Sequence, residues 1–365
     1  MAGFFNSITS SFKRESYLGV DIGTASIKAA EVIEEGGVAR LKNYGILESQ
    51  GHLERINNAI QTSSLKIVDK ETSELLKHLV DEMKPSTNNA AGSLPAFSVF
   101  TSLLDIPVMS KEETAQAMQY QAKTFVPLPL TDVTIDWIPI GEYEDDKGFK
   151  KQQVFLVSVP NDEIEKYRNI FKAAGLNLKF LEVETLSLAR ILTIGDPTTS
   201  LIVDIGARST AIAVAGGGQL KYNGQTDFAG SSLTQAITKG LGIDIRRAED
   251  IKRQKGLAGT GGEYQLSTLM VPYMDVILND VRRVKSTYEK NYKDKIERIV
   301  LSGGGANLLG VEEYVSKQMG DLPTIKANPL EKIAHPPEIE PIAGTLGAPL
   351  SVAMGLSLKP FLTQE

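Results

Sequence analysis

YLGVDIGTASIKAAEV, residues 17–32, decides how the rest of the chain is read. Leu18 and Val20 alternate with small residues as a strand does, and the apolar pattern resumes at Ile27 and Ala29 after Asp21-Ile22-Gly23-Thr24. The pattern predicts two strands joined by a tight turn. That turn carries an acid (Asp21), a permissive glycine (Gly23) and two hydroxyls (Thr24 and Ser26). Gly23 lets the backbone bend around an anion. Asp21 would repel a phosphate but suits a hydrated Mg²⁺ beside one. An Asp-x-Gly hairpin with no ligand fits the turn taken alone.

The second half of the chain repeats the stretch. Residues 201–215 read LIVDIGARSTAIAVA, so Val203-Asp204-Ile205-Gly206 lines up with Val20-Asp21-Ile22-Gly23, and Ser209 with Ser26. Asp204 follows Asp21 by 183 residues (204 − 21). Two copies of strand, acidic turn and strand imply two related half-domains gripping one ligand from opposite sides.

Composition sets the outer bounds. A chain of 365 residues holds two or more domains, and 42% hydrophobic with 23% charged residues is ordinary for a soluble globular protein. A net charge of −6 argues against a nucleic-acid partner. The absence of cysteine removes disulfides, a thiolate nucleophile and Cys-ligated metals, and fits the cytoplasm. His52, His78 and His335 are scattered and suggest surface or capping roles. No apolar run approaches the roughly 18 residues of a membrane span. The start of the chain lacks the marks of a signal peptide, but Phe4, Phe5, Ile8 and Phe12 recur at helical spacing before Lys13 and Arg14. That segment reads as an amphipathic anchor or as a packed terminus.

Along the chain, Leu75, Leu76, Leu79, Val80 and Met83 predict one helix face, and the small, polar run 85–93 predicts a loop. A strand is expected over 96–101. Ser110-Lys111-Glu112-Glu113 is a capping box opening a helix to about Phe125, ahead of Val126-Pro127-Leu128-Pro129. Strands at 135–140 and 153–159 flank a charged hairpin. Asn161 is expected to cap a helix that ends at Gly175, followed by a strand at 178–183 and a helix at 184–194. Helices follow at 231–239, 245–254 and 271–288. The glycine-rich run 256–262 lacks a P-loop ending and reads as a flexible loop. Arg298 to Leu301 is a strand running into Ser302-Gly303-Gly304-Gly305-Ala306-Asn307, where glycines permit close approach to a flat ligand or a phosphate. A dinucleotide fingerprint is not met, because the third glycine, Gly310, comes two positions late. Glu249 and Lys252 share a helix face and suit either a ribose or a solvated ion pair. Residues 343–358, AGTLGAPLSVAMGLSL, predict a small-residue core helix.

With these pieces in place, the sequence resembles the actin, heat-shock chaperone and sugar kinase superfamily. Asp21-Ile22-Gly23-Thr24 resembles its first phosphate turn, Asp204-Ile205-Gly206 its second, and Gly303-Gly304-Gly305 with Asn307 its adenosine loop. The resemblance implies that Lys28, Ser26, Ser209 and Gly230 assist in binding the cofactor, that Glu249 and Lys252 contact ribose, and that Glu184 lies near the attacking water. It makes Asp21, Glu184 and Asp204 the catalytic set, with Asp21 and Asp204 at the metal. Within the superfamily, AMQYQAKTFVPLP at 117–129, Asp136-Trp137-Ile138, the opening GVDIGTASIKAAEV and LSGGGANLLG are most similar to the PilM branch, related to the division protein FtsA.

The expected fold is therefore α/β, a two-lobed actin-like (duplicated ribonuclease H-like) fold with an inserted small α+β subdomain. The expected layout is an N-terminal segment 1–16, a first lobe 17–95, the inserted subdomain 96–159, the first lobe continued over 160–198, a second lobe 199–342 and a C-terminal helix 343–365 returning to the first lobe. The resemblance implies an adaptor binding ATP and Mg²⁺, at most a slow ATPase, on the cytoplasmic face of the inner membrane. Its implied partner is the cytoplasmic tail of a PilN-like membrane protein, docked beside the inserted module, with PilO and the pilus motor ATPases reached indirectly and oligomers allowed. A filament-forming FtsA-like protein and a small-molecule kinase are the alternatives. Ala207-Arg208 departs from the residues common after the second turn, and Arg208 suits either clamping a phosphate or blocking it.

Overall fold

The computed structural model describes residues 16–49, 65–145, 147–257 and 264–362. The N-terminal segment and most of the glycine-rich run after Gly256 lie outside the described residues. Strand β1 (Tyr17–Ile22) turns into β2 (Ser26–Glu35) and β3 (Val38–Glu48), after which come helix α1 (Leu65–Met83) and strand β4 (Asn89–Leu94). Then β5 (Phe100–Pro107), α2 (Lys111–Phe125), β6 (Val133–Glu144) and β7 (Lys150–Pro160) form a module with its own three-stranded sheet, ordered β5-β7-β6. The chain returns through α3 (Asn161–Ala173), β8 (Asn177–Val183) and α4 (Glu184–Thr193) to complete a first sheet ordered β3-β2-β1-β4-β8.

The second half builds the same sheet again. Its elements are β9 (Ser200–Ile205), β10 (Thr210–Gly216), β11 (Gln219–Thr226), α5 (Gly230–Leu241), α6 (Ile245–Lys255), α7 (Tyr264–Tyr292), β12 (Arg298–Ser302), α8 (Val311–Gln318), β13 (Thr324–Lys326) and α9 (Glu340–Leu362). The order β11-β10-β9-β12-β13 copies β3-β2-β1-β4-β8, including which pairs are antiparallel and which parallel. Even the hairpin register repeats: Asp21 faces Lys28 as Asp204 faces Ala211. The duplication read from two short motifs extends to whole sheets.

Helix α9 ties the two sheets together. It packs on β1, β2, β4 and α4, and its N-terminal half reaches β12 and the turn after it. Its small residues are what allow this approach. At Gly19 a Cβ would stand 2.0 Å from the Ala353 carbonyl oxygen, so β1 passes under the helix backbone where only glycine fits. Ser357 pins the crossing, donating to the Tyr17 carbonyl at 2.6 Å and accepting from the Val32 amide at 2.8 Å. By length and composition α9 would pass for a membrane span, against the expectation that no run comes close, but 67% of that window is buried inside the fold. Among the described residues no other helix is long and apolar enough.

Three local expectations need correction. The run 85–93 is not all loop: Asn89 onward forms β4, parallel to both neighbours and buried on both faces. Such strands do not alternate, and here the residues are small because a Cβ on Gly92 would meet Leu181 at 2.8 Å. The strand expected from Ala96 begins only at Phe100, and Ala96–Ser98 is a 3-10 turn. Asn161 does not cap α3 through its side chain; its amide instead accepts from Thr134 Oγ1 at 2.8 Å and donates to the Thr131 carbonyl at 3.0 Å. The capping box at Ser110 is present as expected, with Ser110 and Glu113 bonded reciprocally.

Candidate functional site

The two acidic hairpins close in the same way. Gly23 donates its amide to the Ser26 carbonyl at 3.0 Å, and Gly206 donates to the Ser209 carbonyl at 3.1 Å. Each acid sits near the carboxyl end of a central strand, where ligands of open α/β sheets bind. Each also meets a serine from the neighbouring parallel strand. Ser93 of β4 donates to Asp21 Oδ1 at 2.7 Å, and Ser302 of β12, whose hydroxyl donates to the Ala348 carbonyl at 3.2 Å, lies in register with Asp204 and favours its charged form. Neither serine stood out in the sequence as a site residue. Ser93 lies in the small-residue run mistaken for a loop, and only its place one strand over from Asp21 reveals it.

Between the turns, one ammonium serves three carboxylates. Lys28 donates to Asp21 Oδ2 at 3.0 Å, from a side chain 15% exposed. Burial works against its charge, but Asp21, with Asp204 and Glu184 further off, outweighs burial and raises the Lys28 pKa. Burial pushes the Asp204 carboxyl up to about 6, helped by Asp21 and opposed by Lys28 and Ser302. Burial, then the charge of Asp204 and less that of Asp21, pushes Glu184 up to about 8, against the Ala96 amide that donates to it at 3.0 Å. Asp21, Lys28, Glu184 and Asp204 therefore form one electrostatic cluster drawn from both halves of the chain.

The glycine loop after β12 lies against this cluster. Gly303 has φ 76° and lies so close that a Cβ would be 2.6 Å from the Ile205 carbonyl oxygen and 3.0 Å from Asp204 Oδ1. Gly305 packs on Ile205, while Gly304 is exposed and faces open space. Asn307 donates to the Thr345 carbonyl at 2.9 Å and leaves its Oδ1 buried with no hydrogen-bond partner among the described residues.

Other expected contacts are engaged within the protein. The Gly23 and Gly206 amides are spent closing their own turns, as above. The Gly230 amide donates to the Gly206 carbonyl at 3.0 Å, binding the start of α5 to the second turn. Glu249 and Lys252 are neither at an open face nor a solvated pair. Lys252 donates to Glu249 at 2.7 Å, Thr234 at 2.9 Å and the Gly230 carbonyl at 3.0 Å, and both residues are buried. Burial lowers the Lys252 pKa despite Glu249, whereas Lys252, Thr234 and Arg253 overcome burial and lower that of Glu249. They hold the α5–α6 corner in place. Thr24 is exposed at the tip of the first turn.

Three contacts cross between the halves beside the cluster. Arg253 of α6, itself bonded to Glu249, donates to both oxygens of Glu48 at 3.0 Å. Asn223 donates to Thr101 at 3.1 Å. Arg208, whose role the sequence leaves open, sets its guanidinium 4.7 Å over the ring of Phe97. Phe97 also lines a separate concavity of roughly 700 Å³ between the start of β5, the end of β7 and the start of α3, with Phe100, Leu128 and Asp162.

Residues 19–361 match the family described as type IV pilus assembly protein PilM. The chain belongs to the PilM family. It is also similar to the cell division protein FtsA of Enterococcus faecalis, 22% identical over 90% of this chain and 85% of that one. Among solved structures it resembles the PilM–PilN type IV pilus biogenesis complex, with a TM-score of 0.81, 22% identity, and 95% and 99% of the two chains covered. A more distant likeness is to MreB5 of Spiroplasma citri bound to AMPPNP, with a TM-score of 0.54, 15% identity, and 96% and 97% covered. These likenesses establish an actin-like fold, as the resemblance to PilM and FtsA implies.

Proposed function

We infer that this PilM-family chain is a nucleotide-binding adaptor of the type IV pilus inner-membrane assembly, taking Mg-ATP between its two halves. The observation that carries this is the convergence of Asp21, Lys28, Glu184 and Asp204 between two turns that close by the same hydrogen bond. Three carboxylates around one ammonium make a site short of positive charge, and a divalent cation is the charge it lacks. Among the described residues no three His, Asp or Glu side chains could cage a metal directly. That fits Mg²⁺, which keeps several waters and takes one or two carboxylates together with phosphates. Asp21 and Asp204 would hold the hydrated ion, and Lys28 with the exposed Thr24 would meet the phosphates. Open space at Gly304 and the orphaned Asn307 Oδ1 fit a purine nucleoside laid on the glycine loop. Binding, more than turnover, would set how closely the halves approach.

The solved likeness to a PilM–PilN complex supports a second site, for the N-terminal cytoplasmic tail of a PilN-type membrane protein. The concavity lined by Phe97, Phe100 and Leu128 is open and part apolar, as a peptide groove must be. Such a partner would hold the chain at the inner face of the cytoplasmic membrane and link it to PilO and the motor ATPases. The layout of a first lobe, an inserted module over 96–159, a second lobe and a returning C-terminal helix belongs to the same reading.

The test is Asp21→Ala measured by calorimetric titration of Mg-ATP. Affinity is expected to fall at least about tenfold, the effect of losing roughly 1.4 kcal/mol of binding, while circular dichroism stays that of the folded protein. Unchanged affinity in the folded variant would sink the nucleotide site.

A further inference from the structure

Of the three contacts that cross between the halves, one is strung between the supports of the two acidic turns. On the first half, Glu48 ends β3 in register with Ser26, and the amide of Ser49 beside it donates to the Ala25 carbonyl at 2.8 Å. Glu48 is thereby fixed to the tip of the first turn. On the second half, Arg253 donates through Nε to Glu249 at 2.8 Å, and Glu249 accepts from Lys252 at 2.7 Å. Lys252 donates to the Gly230 carbonyl at 3.0 Å, and the Gly230 amide donates to the Gly206 carbonyl of the second turn at 3.0 Å. The Glu48–Arg253 pair, 3.0 Å from one guanidinium nitrogen to each carboxylate oxygen, completes this path from turn to turn. The other two crossings, Asn223 to Thr101 and Arg208 to Phe97, reach β5 and the 3-10 turn before it instead of the first acidic turn.

The pair is placed to form readily and to break readily. Glu249, 11% exposed, holds the guanidinium from behind, which removes part of the entropy that a long side chain loses on pairing. The Glu48 and Arg253 side chains are 53% and 49% exposed, so water competes for both charges. We propose that Glu48 and Arg253 form a latch across the cleft that sets how fast a nucleotide enters and leaves without setting how tightly it binds. The latch rests on the nucleotide site proposed above. A nucleotide held between the turns leaves when the turns part, and parting them pulls Glu48 off Arg253. The opposite charges of the pair cancel, so it offers phosphates no net attraction and holds the halves together equally with the cleft filled or empty. Its loss frees opening by the same factor for entry and for exit. A half-exposed pair worth about 0.5–1 kcal/mol corresponds to a factor of roughly two to five in each rate.

The experiment uses the full chain and methylanthraniloyl-AMPPNP with Mg²⁺, so that turnover plays no part. Stopped-flow fluorescence gives the association rate from its dependence on nucleotide concentration, and a chase with unlabelled Mg-AMPPNP gives the dissociation rate. Arg253→Gln is expected to raise both rates roughly two- to fivefold, with Kd changed less than about twofold. Glu48→Ala leaves the Arg253–Glu249 contact and the α5–α6 corner intact, and is expected to raise both rates by the same factor. The double variant is expected to be no faster than either single one, because each removes the same pair. Unchanged rates in both single variants, a weakened Kd with association unchanged, or a double variant showing the product of the two single effects would overturn the latch while the nucleotide site stands. Failure of the folded wild type to bind the nucleotide overturns the proposed function and the latch with it.

Discussion

Removing the one ammonium among three carboxylates tests the cluster most directly. In Lys28→Met the shape of the side chain is nearly kept and the charge is lost. Lys28 Nζ lies 3.0 Å from Asp21 Oδ2, with the two side chains 15% and 11% exposed. Coulomb's law at that distance with an effective dielectric constant near 20 gives about 5–6 kcal/mol, from which the cost of burying the ammonium must be taken. Breaking a buried pair by deleting one partner costs about 3–5 kcal/mol, because the other charge is stranded. Asp21 keeps the Ser93 hydroxyl at 2.7 Å, which places the loss at the lower end, about 3 kcal/mol. For a 365-residue chain unfolding as one unit, that lowers Tm by about 4 °C. The check is a double-mutant cycle with Asp21→Asn, read by urea and thermal denaturation. Neutralising Asp21 removes the stranded charge, so the double variant should recover about 2 kcal/mol relative to additivity. A Lys28→Met protein within about 0.5 kcal/mol of wild type, or strictly additive effects, would show that these groups do not form one cluster.

Other perturbations separate the remaining parts of the argument. Gly19→Ala drives a methyl into the Ala353 carbonyl and should cost about 3 kcal/mol or more in urea denaturation, since α9 has to move off β1. Asp136 is pushed by burial from 3.8 up to about 6, against the Trp137 amide and Lys359. The folded protein thus binds this proton more tightly than the unfolded chain. The stability it contributes is complete below pH 3.8 and is lost as pH rises through about 6. Asp136→Asn should therefore gain up to about 3 kcal/mol at pH 8 and almost nothing near pH 4, in paired melts at the two pH values. Arg253→Gln breaks a half-exposed cross-cleft pair and should change stability by less than about 1 kcal/mol, more at low salt than at high salt. Arg190→Met instead removes the two-pronged partner of Glu182, 2% exposed and bonded to Arg190 at 2.7 and 2.8 Å, and because Lys359 stays on it at 2.7 Å should cost about 3 kcal/mol, at any salt.

What the sequence reveals about this fold depends on how local the cause is. The acidic hairpins, the capping box at Ser110 and the small-residue helix α9 were legible because each is decided within a few residues of itself. Strand β4 was not: its backbone partners are β1 and β8, and the cause of its small residues, Phe171 and Leu181 pressing on Gly92, lies 79 and 89 residues away (171 − 92 and 181 − 92). The site divides in the same way. Asp21 and Asp204 announce themselves by position in a repeated turn and Lys28 only through the family resemblance, since the repeat has Ala211 in its place, whereas Ser93 and Ser302 become neighbours of the acids only once parallel strands lie side by side. Glu249 and Lys252 show the opposite failure. Their spacing correctly places them on one helix face, but a shared face does not say what it meets. Here it meets Thr234 and the Gly230 carbonyl, which use up the polar groups the ribose reading needs. Burial decides the matter: a salt-bridged Lys and Glu with every strong partner inside the protein have little left to offer a ligand, and their substitution should loosen the α5–α6 corner before it touches a nucleotide.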